Sequence, residues 1–121
     1  GGNPKIPANI EQLFTPSETR PNYIFQTFLY ASIMCRQQTL KVAPALLYIH
    51  RAASDSYSPV IEMGEPRQPK IPVNNFTFFE DEFRKRLQTL LEEIFSENEP
   101  FTQTEDIKKC SYCDFKAICK R

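Results

Sequence analysis

Three of the chain's four cysteines, Cys110, Cys113 and Cys119, crowd into the last twelve of its 121 residues at a C-x2-C-x5-C spacing. Thiolates bind iron and zinc strongly, and two cysteines separated by two residues can turn back onto one metal centre without backbone strain. A metal site is therefore the favoured reading, one ligand short of the four that would close it. Two disulfides are the weaker alternative, because Cys35 stands far from the cluster whereas small secreted scaffolds spread their cysteines more evenly. Cys35 itself falls in an apolar helical row and reads as a small packing hydrophobe.

A second constellation is Gln26 and Tyr30. Four residues apart on a helix, an amide and a phenol share one face about a turn from each other, where they could hydrogen-bond a phosphate or another catalytic side chain. Other chemistry-bearing groups read more plainly. Asp106-Ile-Lys108 and Asp114-Phe-Lys116 both spell D-x-K, but neither follows an apolar strand that could aim the carboxylate. Glu62 reads as a solvated strand residue. The one histidine, His50, has no cysteine near it in sequence with which to form a nucleophile pair, and reads as a surface or packing residue.

The elements that must position these groups follow from periodicity and breakers. Residues 1–21 carry Pro4, Pro7, Pro16 and Pro21 and no sustained apolar period, so an irregular lead-in is expected, with one short turn at Ile10, Leu13 and Phe14. Asn22 is placed to cap a helix over Tyr23–Gln38. Its apolar rows are Phe25, Phe28, Leu29 and Ile33 on one side and Ile24, Phe28, Ala31 and Cys35 on the other. Ala45–Ile49 is short, apolar and preceded by Pro44, which predicts a buried strand pairing antiparallel with Val60–Met63. Pro66, Pro69 and Pro72 make the next stretch extended and irregular. A long helix is then expected over Phe78–Ser96. Thr77 and Glu80 would cap it, Glu80–Arg84 and Asp81–Lys85 would pair on its wet side, and Phe79, Phe83, Leu87, Leu90, Leu91, Ile94 and Phe95 form its apolar stripe. The reading is one α+β domain: lead-in 1–21, a body of helix, two or three antiparallel strands and long amphipathic helix over 22–99, and a cysteine-bearing tail over 100–121.

Composition bounds the function classes. Fifteen basic residues balance fifteen acidic ones, so net charge favours neither nucleic acid nor an anionic membrane, and any such surface must be a local patch. No apolar run approaches the roughly 20 residues of a membrane helix and no signal peptide is evident, so a cytoplasmic setting is expected. The ten phenylalanines read as core. No interleaving of aromatic and basic residues marks a single-strand binding platform.

The order of a Q-x-x-x-Y helix, a strand pair, a long amphipathic helix and a C-x2-C-x5-C tail resembles the C-terminal part of RecB-like nuclease domains of the PD-(D/E)XK superfamily. The closest likeness is the iron–sulfur subgroup of AddB-type helicase–nuclease subunits and CRISPR-associated nucleases, over roughly residues 20–121. The resemblance implies a restriction-endonuclease-like fold and metal-dependent hydrolysis of DNA with Mg2+ or Mn2+, in recombinational repair of double-strand breaks beside a helicase partner. It makes Gln26 and Tyr30 supporting residues at the active site, orienting the scissile phosphate or a catalytic lysine. It makes Cys110, Cys113 and Cys119 three ligands of a structural 4Fe-4S cluster, whose fourth cysteine lies far upstream. On this likeness Arg36, Lys41, Arg51, Arg67 and Lys70, with Lys108, Lys109, Lys116, Lys120 and Arg121, could line a DNA path; they equally serve to keep a small domain soluble.

One departure matters as much as the match. The family's catalytic Asp and D/E-x-K motifs precede Q-x-x-x-Y, and no such segment stands there in this sequence. Gly1-Gly2 is expected to be the end of a Thr-Gly loop that follows the catalytic lysine, which makes these residues an inactive fragment of a nuclease domain. Two rivals remain. One is a non-catalytic module whose zinc is held by the three tail cysteines with His50 or Cys35, binding DNA or a protein partner; the other is a degenerate, structural nuclease-like domain. The tail is expected to be loose, ordered chiefly by Phe115 and Ile118 packing on the body.

Overall fold

The computed structural model describes residues 5–18, 20–37, 41–98 and 100–120. Among them the architecture is α+β: helices α1 (Glu11–Phe14), α2 (Asn22–Gln37), α3 (Thr77–Ile94) and α4 (Ile107–Ser111), and one antiparallel pair, β1 (Glu62–Met63) with β2 (Ile71–Pro72). No helix among the described residues is long and apolar enough to cross a membrane.

Phenylalanine builds the core. The fully buried ring of Phe83, on α3, lies 5.3 Å from Phe14, 5.6 Å from Phe25, 6.2 Å from Phe28 and 5.9 Å from Phe76, each pair tilted or edge-on as ring quadrupoles prefer. These contacts lay α3 across α1 and α2. The lead-in is tied down more firmly than its prolines suggest. The expected turn forms as α1, Ile10 and Leu13 are buried with Pro7, and the Gly64 amide donates to the Pro7 carbonyl at 3.0 Å.

Helix α2 starts at Asn22, but not by the expected cap. The Pro21 carbonyl accepts from the amides of Ile24 and Phe25, while Asn22 Oδ1 accepts from Arg20 Nε. Of its two apolar rows, Ile24, Phe28 and Ala31 are buried, and Phe25, Leu29 and Cys35 pack partly against the core; Ile33 is exposed. The Gln38 end expected for this helix lies outside the described residues.

The strand expected over Ala45–Ile49 does not form. Its pairing reduces to one antiparallel bridge, Ala45 with Val60, and one hydrogen bond from the Leu46 amide to the Pro59 carbonyl. Beyond that point a side chain replaces the ladder: the Tyr57 phenol donates to the Leu46 carbonyl at 2.8 Å and accepts from the Tyr48 amide at 2.7 Å. With those backbone groups satisfied, the chain winds into a 3-10 turn over Ile49–Arg51. β1 pairs instead with the proline-rich stretch expected to be irregular, Glu62 opposite Pro72 and Met63 opposite Ile71. Alternation fixes its faces: Ile61, Met63 and Val73 are buried and Glu62 is exposed, as expected for a solvated strand residue. Gly64 ends β1 at φ +151°, a region open to glycine, with the Pro69 carbonyl only 3.1 Å from where a Cβ would stand. Lys70 Nζ donates to the carbonyls of Gly64 and Glu65, so its charge holds this turn rather than facing a ligand.

Helix α3 spans Thr77–Ile94, close to the expected bounds, but the Thr77–Glu80 capping box is not made. Asn75 Oδ1 accepts from the Thr77 amide, and Glu80 faces Ser32 Oγ and Arg84 instead. Asp81 pairs with Arg84 at 2.9 Å rather than with Lys85, and Arg84 donating to it holds its carboxyl below the usual carboxylate range. The apolar stripe is only half used: Phe83 is buried and Phe79 and Leu87 pack on the core, but Leu91, Ile94 and Phe95 are exposed. In the tail, Asp106 caps α4 by accepting from the Lys109 amide. Phe115 and Ile118 are 66% and 80% exposed, so they do not anchor the tail as expected. Lys108 pairs with Glu18 of the lead-in at 3.0 Å, an exposed ion pair of small energetic weight.

Candidate functional site

The outer face of α2 carries Tyr23, Gln26, Tyr30 and Ile33 at spacings of three and four, opposite the buried row of Ile24, Phe28 and Ala31. Gln26 Nε2 donates to Tyr30 Oη at 3.1 Å, so the two residues singled out by spacing meet across one helical turn. That bond orients both groups and leaves the amide oxygen, a second amide N–H and the phenol O–H to meet something else. Tyr23 and Tyr30 are 67% and 58% exposed. Such a face can present hydrogen-bond donors to an anion and ring surface to a planar ligand.

Cys110 sits on α4, the Cys113 amide donates to the Cys110 carbonyl at 3.1 Å, and the Cys119 amide donates to the Phe115 carbonyl at 3.3 Å. All three are free, half-buried thiols. The donor set has the chemistry of an iron or zinc site. Among the described residues, no three His, Cys, Asp or Glu side chains come together as a metal site. Cys35 packs on the core and His50 lies exposed on the 3-10 turn, its ring edge-on to Tyr48 at 6.0 Å, so neither completes the tail set. Asp106 is occupied by its cap and by Lys109, and neither D-x-K tripeptide stands on a strand. Of the candidate DNA-facing cations, Lys70, Lys108 and Lys109 are engaged within the fold, while Arg36, Lys41, Arg51 and Arg67 are exposed.

A cavity of about 280 Å3 went unanticipated. It opens where the lead-in, the start of α2 and the loop between Leu46 and Glu62 meet, and its lining includes Lys5, Ile24, Tyr48, Arg51 and Tyr57. Burial raises the Tyr48 pKa, and the neighbouring phenols of Tyr57 and Tyr23 push it further the same way, so the phenol stays neutral. The signal in the sequence was the pair Tyr48 and Tyr57 bracketing a polar loop that carries Arg51; its third contributor, α2, is remote in the chain.

A family model for the PD-(D/E)XK nuclease superfamily matches residues 11–120, from α1 through the cysteine tail. No curated protein and no solved structure matches the chain.

Proposed function

The chain belongs to the PD-(D/E)XK nuclease superfamily, and from that membership we propose that it forms the supporting part of a DNA nuclease centre, of the RecB-like, AddB type that works beside a helicase in recombinational repair. The observation that carries this reading is the Gln26–Tyr30 hydrogen bond on an exposed helix face. Nucleases of this superfamily typically use Mg2+ or Mn2+, which supply charge neutralisation and a water nucleophile to phosphodiester hydrolysis. The role proposed for this chain's residues is positional. Gln26 and Tyr30 hydrogen-bond the scissile phosphate or the catalytic lysine and hold it in line for attack. No strand among the described residues carries a carboxylate-x-lysine motif, and the proposal assigns no ion-holding acid to them. The 121 residues alone are therefore expected to leave linear and single-stranded DNA intact in Mg2+ or Mn2+. Degradation above the background of a Gln26→Ala control would overturn this assignment of roles.

The tail cysteines are proposed to ligate a 4Fe-4S cluster once a fourth ligand from outside these residues closes it. The C-x2-C-x5-C spacing and the softness of three thiolates support this, and their free, half-buried state leaves them available. Anaerobically prepared protein carrying the upstream sequence is expected to be brown and to contain iron. One zinc and no iron would instead favour a non-catalytic zinc-binding module.

A further inference from the structure

We propose that the cavity beside Tyr48 is a subsite for one base of a single-stranded DNA substrate, which reaches it along the row Tyr23, Gln26 and Tyr30. This rests on the nuclease reading above and adds the path of the strand. Ile24, at the start of α2, lines the cavity, and the Tyr23 phenol lies close enough to Tyr48 to act on it electrostatically. Tyr30 is two helical turns further on, about 10 Å. The cavity meets α2 at Ile24, on the side opposite Gln26 and Tyr30, and the strand would pass from one to the other over the exposed Tyr23 at the start of the helix.

The chemistry of the cavity fits a base. At about 280 Å3 it falls below the usual range of pockets that engulf a drug-sized ligand, so it suits a single ring system and not a whole nucleotide. Tyr48 and Tyr57 offer phenol rings for stacking, which tolerates any base. Arg51 and Lys5 also line it and bring positive charge for the phosphates, while Glu62, also in the lining, disfavours a phosphate entering. Charge therefore sorts the nucleotide: base inward, phosphate toward Arg51. Arg51 has no ion-pair partner among the described residues. The neutral phenol of Tyr48 adds no negative charge to repel the strand. Aromatic and basic groups do not alternate in the sequence; the fold assembles them from the lead-in, α2 and the loop.

The test uses a short oligothymidylate carrying 5-iodouracil, cross-linked to the chain by light and mapped by peptide mass. Cross-links are expected at Tyr48 or Tyr23. Tyr48→Leu should weaken oligonucleotide binding about tenfold, whereas Tyr48→Phe, which keeps the ring, should bind as the native chain does. Arg51→Ala, on an exposed turn where folding is not at issue, should lower affinity and reduce the salt slope by about one. Cross-links elsewhere, together with native affinity in Tyr48→Leu and Arg51→Ala, would overturn the subsite and leave the nuclease reading standing. If no oligonucleotide binds even at low salt, the subsite and the DNA-facing reading fall together.

Discussion

Replacing Phe83 with alanine is expected to remove about 3–5 kcal/mol of stability, the range for emptying a buried aromatic site. Phe83 is fully buried and touches four other rings from three separate segments, so no single neighbour can swing into the hole. Each edge-on contact contributes about 0.5–1.5 kcal/mol beyond burial, and these are lost together. For a domain whose total stability is about 5–15 kcal/mol, the variant would stand near the unfolding threshold. Urea unfolding followed by circular dichroism checks this. A midpoint within error of the native chain would mean that the aromatic cluster is not the keystone of the core.

The second large effect is expected at Tyr57. Tyr57→Phe keeps the ring but removes the hydroxyl that holds both the Leu46 carbonyl and the Tyr48 amide. An unsatisfied polar group costs about 1–3 kcal/mol, and partial access of water moderates the pair to about 2–4 kcal/mol. Most of that cost should fall on the segment from Leu46 to Tyr57 and leave the helices in place. Hydrogen exchange is the discriminating measurement. The Tyr48 amide should lose its protection while amides in the middle of α2 and α3 keep theirs; uniform loss across the molecule would show that the loop and the core unfold as one.

How much of this was legible beforehand depends on how far apart the interacting residues lie in sequence. Helices α2 and α3 were readable because a 3.6-residue period is written locally; the start of α2 and both ends of α3 came within one or two positions. The α+β class followed from the same evidence. The strand at Ala45–Ile49 failed because its fate is decided by Tyr57, whose phenol competes for the very backbone groups a ladder would use. β2 was missed because prolines there suggested irregular chain, although Pro72 is tolerated in an outer strand. The Thr77 cap was lost to Asn75, a residue equally able to accept from the first turn of α3. Gln26 and Tyr30 were found by spacing and do meet. The base-sized cavity was not, since Lys5, Ile24 and Tyr48 converge only once the chain has folded.

The cluster around Phe83 also sets the order of events in time. Phe14, Phe25 and Phe28 are made early, yet the ring that all of them pack on arrives with α3, far later in the chain. Contacts of such long sequence separation close large loops before any gain is returned, which slows folding. Synthesis runs at about 5–20 residues per second, so on the ribosome α1 and α2 must wait, phenylalanines uncovered, for their partner to emerge. The nascent chain is therefore most vulnerable to aggregation during that interval, and a chaperone that shields aromatic segments would act on the stretch that precedes α3.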